Sequence, residues 1–180
     1  WTISADRLTY TFHLRNDVFF HDNEVFANGR GRKMNASDVV YSFNRIIDEK
    51  TASPGAWIFN DRIDTLQPFV AIDDTTFQLK LIRPFNPMLG ILSMQYCSVV
   101  PHEAVEKWGK DFRSHPCGTG AFRKQHYEER VVITYRKNPH YWEHDSAGRQ
   151  LPYIDGIKVT QVDSKATEFL LFMQGDIDFM

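Results

Sequence analysis

The sequence predicts a mixed α/β fold built on a mixed sheet with hairpins and short helices. Apolar and polar residues alternate over Leu8–Leu14, the period-two pattern of a half-buried strand. Apolar residues then recur at three- and four-residue spacing over Val39–Ile47, which indicates a helix with one buried face. Two later stretches, 69–82 and 121–136, alternate on both sides of a turn and predict hairpins. Because helices and strands do not follow one another in a strict repeat, a mixed sheet is favoured over regular βα units.

The first helix has a predicted start. Asn35 is a residue type that accepts hydrogen bonds from the free amides of a first helical turn. Asp38 adds negative charge at the positive end of the helix dipole. The preceding segment, 22–33, contains Asn28-Gly29 and Gly31 and is predicted to be an irregular loop.

Proline and glycine divide the middle of the chain. Two prolines open a short apolar helix within 84–94, and Val99-Val100 is predicted to be a buried strand. Pro101 fits the first turn of a helix, where its missing amide costs nothing, and Gly109 ends that helix.

The last segments predict a strand over 156–162, a helix over 164–174 and a second strand over 176–180. Strands in that order pair in parallel through a crossover connection. The second strand is interrupted almost as soon as it begins, so the chain is expected to be an internal piece of a longer protein.

Composition excludes several classes of protein. The chain has 180 residues, 42% of them hydrophobic and 24% charged, which suffices for one core or two small ones and does not fit a disordered chain. A net charge of -2 removes the broad basic field that nucleic-acid binding needs. The one basic cluster, 30–33, lies among glycines and is predicted to be a solvated loop.

The sequence contains none of the usual enzyme motifs. It lacks a nucleophile elbow, a phosphate loop and a dinucleotide fingerprint, and no helix follows the turn 118–120 to hold a phosphate. The paired acids Asp73-Asp74 are predicted to form a hairpin turn rather than an acid/base pair. These observations favour a binding protein, without catalytic residues or a cofactor, over a catalyst. A purely structural module is less favoured, because aromatic residues such as Trp57 stand in predicted turns.

One histidine pair has the spacing of a metal site. His140 and His144 are four residues apart, a spacing that on a helix places two imidazoles on one metal. Asn138-Pro139 before them and 145–148 after them predict a loop instead, so no metal site is predicted.

Four sequence blocks resemble, in order and spacing, the bacterial extracellular solute-binding proteins of family 5, which serve dipeptide, oligopeptide and nickel importers. They are residues 8–15 with 20–22, 36–43, 100–105 with 118–122, and 136–142 with 175–178. Together these blocks extend over nearly the whole chain. Ala121 departs from the pattern, since the family usually has proline there.

The resemblance implies a type II periplasmic-binding-protein-like fold, in which two lobes close on a ligand at a hinge. Residues 1–115 would be the small subdomain of the first lobe and 116–180 part of its main sheet, the second lobe being absent. The implied function is the substrate-binding component of an ABC importer, which captures peptides outside the cytoplasmic membrane and delivers them to permease subunits. It would be periplasmic or at the cell surface, held to the membrane only through the permease or a lipid anchor.

The resemblance also indicates which residues approach the ligand. They are Trp57, in the loop after the first helix, and Met94, Gln95 and Tyr96, before the predicted strand at 99–100. The charged groups that hold peptide termini in this family lie outside the chain. An oligosaccharide or a nickel complex therefore remains an alternative ligand, and a secreted hydrolase a less favoured alternative function.

Cys97 and Cys117 are the two cysteines of the chain. An extracellular protein lives where disulfides persist, and the helix between the two cysteines would return the chain toward its starting point. A disulfide is therefore predicted; it would close a loop of roughly 20 residues and contribute about 3 kcal/mol in the chain-entropy model. The alternatives are two buried free thiols or, less favoured, half of a zinc site.

Overall fold

A computed structural model describes all 180 residues, Trp1 to Met180, and divides their strands between two sheets. The first has the order β1-β2-β4-β3, and its strands are Thr2–Ile3 (β1), Thr9–His13 (β2), Phe69–Asp73 (β3) and Thr76–Lys80 (β4). The second has the order β5-β6-β7, and its strands are Phe122–Glu128 (β5), Val132–Lys137 (β6) and Gly156–Thr160 (β7). We call residues 1–114 the four-stranded unit, 115–121 the linker and 122–180 the three-stranded unit.

Four α-helices accompany the sheets, three of them in the four-stranded unit. They are Ala36–Ile47 (α1), Met88–Leu92 (α2), His102–Trp108 (α3) and Lys165–Gln174 (α4). Single 3-10 turns occur at Ala27–Gly29, Ala56–Ile58 and Gln95–Cys97, and a longer one at Gly109–Ser114. None of the helices has the length and apolar character needed to cross a membrane.

Helix α1 begins where the sequence predicts. The Asn35 side chain accepts a hydrogen bond from the Asp38 amide at 3.1 Å, and the Asp38 carboxylate accepts one from the Asn35 amide at 2.9 Å. This reciprocal capping box satisfies two amides that the helix itself leaves free.

The main core lies between α1 and the first sheet, with Phe43 of α1 at its centre. The Phe43 ring centroid lies 5.3 Å from that of Phe59 and 5.4 Å from those of Phe69 and Phe77. Edge-to-face contacts of this kind stabilise a core beyond the area that they bury. The alternation predicted for the first strand and hairpin is confirmed, because Tyr10 and the inward residues of β4 are buried.

A smaller cluster joins the loop at 22–33 to α3. Its buried members are Phe20, Phe26, Ala104 and Cys117. Above it, the Arg32 guanidinium donates to the Asp38 carboxylate at 2.6 and 2.8 Å and to the Glu103 carboxylate, one bond being 2.9 Å. The sequence predicts Arg32 to lie in a solvated basic loop, and that prediction is wrong for this residue.

The mixed α/β class is confirmed, but three details differ from the prediction. Every strand pair is antiparallel, so neither sheet is mixed. Residues 99 and 100 belong to no strand, and the Val100 amide donates to the Ser42 hydroxyl at 2.9 Å instead of to a neighbouring strand. Residues 176–180 pair with no strand either, so the predicted parallel crossover is absent.

The predicted disulfide is wrong. Cys97 and Cys117 are both free and buried. Cys97 packs in the core beneath α1, whereas Cys117 packs in the smaller cluster and donates a weak hydrogen bond to the His21 carbonyl at 3.7 Å. The helix between the two cysteines leads from one core to the other instead of returning to its start.

Candidate functional site

Two 3-10 turns carry the residues that the family resemblance singled out. Trp57 is the middle residue of the turn Ala56–Ile58, and Gln95 and Tyr96 open the turn Gln95–Cys97. Each turn is anchored by its last residue, because Ile58 and Cys97 are both buried in the core beneath α1. Such anchoring holds irregular backbone in place without a sheet or helix around it.

The two turns touch at Gly55 and Tyr96. A Cβ atom added to Gly55 would lie 2.7 Å from the Tyr96 Cβ and 3.0 Å from its Cγ, closer than real side-chain atoms pack. The Gly55 φ of -83° suits any residue, so glycine is needed here for space and not for its backbone freedom. Tyr96 therefore lies directly on the backbone of the first turn.

Trp57 presents its side chain to solvent, with 44% of the residue exposed. Its carbonyl accepts a hydrogen bond from Arg62, as does the Ile58 carbonyl at 3.2 Å. The Arg62 guanidinium also lies 4.9 Å from the centre of the Phe85 ring, a cation–π distance. Arg62 was not predicted from the sequence, and only its position near a turn-rich segment hinted at it.

Met94 and Gln95 are exposed, Met94 to 38%. Met94, which the resemblance implies to approach the ligand, lies outside the core. Tyr96 is half-buried and packs against the main core. The structure thus brings Tyr96 against the Trp57 turn, with Met94 and Gln95 beside it. We call Trp57, Met94, Gln95 and Tyr96 the aromatic surface.

A cavity of about 420 Å³ opens beside β1 and β2. Its lining includes Arg7 and Asn86, together with Ile3, Ser4, Ala5 and Tyr10. None of the four predicted residues lines it. No motif in the sequence marked it, because the lining comes from the first ten residues and from one distant loop.

The two histidines with metal-ligand spacing have separate partners. His140 Nε2 lies 3.6 Å from the Asp22 carboxylate, whereas His144 Nδ1 lies 3.0 Å from the Trp142 carbonyl. No group of three or more histidine, cysteine or acidic side chains is arranged to hold a metal ion. The paired acids Asp73 and Asp74 lie at the turn between β3 and β4, as predicted.

An exposed tryptophan beside a half-buried tyrosine offers apolar contact area to a ligand. The model of the bacterial extracellular solute-binding proteins, family 5 Middle, matches residues 1–180. The chain belongs to this family.

Two relatives of this family-5 chain are named for a ligand. It is 34% identical over 154 residues to the dipeptide-binding protein of Escherichia coli K12, covering 79% of this chain and 28% of that protein. It is 30% identical over 192 residues to heme-binding protein A of Haemophilus influenzae, covering all of this chain and 34% of that protein.

A solved structure agrees with the fold. The ABC transporter-associated periplasmic binding protein DppA from Helicobacter pylori, in complex with the peptide STSA, superposes with a TM-score of 0.81 at 28% identity. The match covers 98% of this chain and 35% of that one. The type II periplasmic-binding-protein-like fold predicted from the sequence is therefore confirmed. The chain spans about a third of the length of the relatives it matches.

Proposed function

We propose that the protein is the substrate-binding component of an ABC importer and captures peptides outside the cytoplasmic membrane. The observation that carries the proposal is the likeness of this chain, over 98% of its length, to a periplasmic binding protein solved with a bound peptide. The dipeptide-binding relative supports the same ligand class. Its partners would be permease subunits, and it would lie in the periplasm or at the cell surface. It would be held to the membrane by the permease or by a lipid anchor.

The two separate sheets support a division of the first lobe into two subdomains. The four-stranded unit, with its own core, would be the small subdomain predicted for 1–115. The three-stranded unit would be part of the lobe's main sheet, predicted for 116–180. Helix α4 exposes large apolar side chains, which fits a surface that packs against the rest of the protein. They are Phe169, Leu170, Phe172 and Met173.

The aromatic surface would contact the peptide. Trp57 and Tyr96 offer large, rigid apolar area at little cost in side-chain entropy, and Met94 adapts its shape to different side chains. Gln95 adds a donor and an acceptor for peptide groups. A surface of this kind suits a binder that tolerates many side chains.

A second ligand class is favoured by one observation. The relative named heme-binding protein A matches the full length of this chain, so the same scaffold accompanies a ligand unlike a peptide. A non-peptide solute, such as an oligosaccharide or a metal complex, is the alternative for this protein.

Calorimetry of the full-length protein against a library of short peptides tests the proposal, with product analysis of every mixture. We expect reversible binding and unchanged peptides. Cleaved peptides would identify a hydrolase. Heat from heme or a nickel complex, with none from any peptide, would favour the alternative.

Substitution of Trp57 tests the surface separately. Trp57→Ala should weaken peptide binding several-fold while leaving the thermal unfolding curve nearly unchanged, because the side chain is largely in solvent. Leu66→Ala is the matched control, since Leu66 is 91% exposed in the same unit but outside the aromatic surface. Equal affinities for the two variants would remove Trp57 from the site.

A further inference from the structure

One backbone carbonyl in the linker accepts hydrogen bonds from both units. His21 lies in the segment after β2 of the first sheet, and its Nε2 atom lies 2.9 Å from the Gly120 carbonyl oxygen. Asn138 Nδ2, which follows β6, donates to the same oxygen at 3.0 Å. Gly120 is thus held between a side chain from the four-stranded unit and one from the three-stranded unit.

Asn138 is the organising residue on the second side. It is only 2% exposed, and its backbone amide donates a hydrogen bond to the Ala121 carbonyl at 2.8 Å. Its side-chain oxygen accepts a hydrogen bond from the His140 amide at 3.0 Å. One asparagine therefore fixes both the end of the linker and the turn that follows β6.

That turn makes two contacts back to the four-stranded unit. His140 Nε2 lies 3.6 Å from an Asp22 carboxylate oxygen. The Arg15 guanidinium lies 4.3 Å from the centre of the Trp142 ring, within cation–π range. Both contacts join the segment after β2 to the turn after β6.

His21 is the organising residue on the first side. It is 7% exposed, and its amide donates to the Gly118 carbonyl at 2.8 Å. Its own carbonyl accepts the weak hydrogen bond from Cys117. Gly118 and Gly120 would otherwise give the seven-residue linker wide backbone freedom. His21 restricts that freedom because it is hydrogen-bonded to the carbonyls of both glycines.

We infer that His21 and Asn138 are positioning residues that lock the four-stranded and three-stranded units into one rigid body through the Gly120 carbonyl. The residues that make this junction belong to the blocks 20–22, 118–122 and 136–142, which carried the resemblance to the family. Their role is to set the angle between the units, not to touch the ligand. The junction has this property whatever solute the protein binds.

The consequence concerns motion. A hinge needs a few residues free to change their backbone angles. The linker lacks that freedom, because its carbonyls at Gly118 and Gly120 are held by buried donors whose loss leaves polar groups unpaired. The aromatic surface is therefore expected to keep one orientation relative to the three-stranded unit.

Distance measurements between spin labels test the inference in the full-length protein. Labels are placed at Leu66→Cys in the four-stranded unit and Glu129→Cys in the β5–β6 turn, both exposed positions. The chain without added cysteines gives the background, since both native thiols are buried. We expect one narrow distance distribution in the parent, and a broadened or shifted one in His21→Ala and in Asn138→Ala.

Ser42→Ala is the matched control. Ser42 is also buried and also bridges two segments, because its hydroxyl accepts a hydrogen bond from the Val100 amide at 2.9 Å, but it makes no hydrogen bond to the linker. It should lower the unfolding temperature without broadening the distribution. Distributions in His21→Ala and Asn138→Ala as narrow and as centred as the parent's would overturn the inference.

If either buried variant fails to fold, Asn138→Asp is measured in its place. Aspartate keeps the size of the side chain but replaces the Nδ2 donor to the Gly120 carbonyl with an acceptor. A broader or shifted distribution in this variant supports the rigid junction, and a distribution identical to the parent's overturns it.

Discussion

Gly55 and Tyr96 are in contact at a distance that leaves no room for a side chain at position 55. The missing Cβ of Gly55 would stand 2.7 Å from the Tyr96 Cβ. The two turns that carry the aromatic surface can therefore pack together only because residue 55 has no side chain. The position of Tyr96 depends on that glycine.

Substitution of Gly55 by alanine should displace Tyr96. We expect the free energy of unfolding to fall by about 1–3 kcal/mol, the usual cost of overpacking, and peptide affinity to fall with it. Chemical denaturation and calorimetry measure the two effects.

Gly90→Ala is the control for that substitution. Gly90 lies exposed in α2, and a Cβ there would meet nothing within 4 Å. Alanine is the better helix former, so this variant should gain roughly 0.5–1 kcal/mol. A Gly55→Ala protein as stable as Gly90→Ala would show that Tyr96 moves aside at no cost.

Truncation of Phe43 should remove the centre of the main core. Phe43→Ala is expected to lower the free energy of unfolding by about 3–5 kcal/mol, because three aromatic neighbours lose their contact with it. Urea denaturation of Phe43→Ala beside Leu66→Ala checks this, the latter staying within about 0.5 kcal/mol of the parent. Similar losses in both variants would contradict the assigned core.

The two thiols should be free and slow to react. Burial raises the pKa of Cys97 to about 11 and that of Cys117 to about 12, so little thiolate exists near neutral pH. Titration with a thiol reagent should give two free thiols in denaturant under non-reducing conditions. The folded protein should react far more slowly. A count of fewer than two free thiols in denaturant would show that the two cysteines form a disulfide after all.

Stability should fall in mild acid because of His21. Burial lowers the pKa of His21 below its ordinary value of 6.5, against the opposing effect of its hydrogen bond to Gly120. The unfolded chain therefore binds a proton more readily than the folded one, so the contribution is complete above pH 6.5 and is lost as the pH falls below it. Nearby Arg123 lowers and Asp22 raises the same pKa.

Unfolding measured between pH 8 and pH 5 in the parent and in His21→Gln tests this expectation. The parent's stability should decline more steeply than the variant's over that range, because glutamine has no proton to gain. Parallel curves would mean that another group titrates.

The aromatic surface was predictable only in part. The resemblance placed Trp57 and Tyr96 near a ligand, and both lie on the surface of the four-stranded unit. Their connection through Gly55 had no signal in the sequence, since a glycine beside Pro54 is equally typical of any turn. Arg62, which holds the Trp57 carbonyl, was missed for a similar reason: its partners come from residues 57 and 85, too far apart in the chain for a pattern to join them.

The sequence by itself determined the elements whose stability is local. Asn35 and Asp38 set the start of α1 because a capping box joins residues three apart. The alternation in β2 and β4 determined which side chains face the core. The tertiary structure alone decided what depends on distant partners. The Ser42 hydroxyl accepts a hydrogen bond from the Val100 amide where a strand is predicted, and the two cysteines lie in different cores. The Gly120 carbonyl is shared by His21 and Asn138. A cap or a turn is closed by neighbours in the chain, whereas strand pairing, thiol pairing and a locked junction require two segments to meet in space.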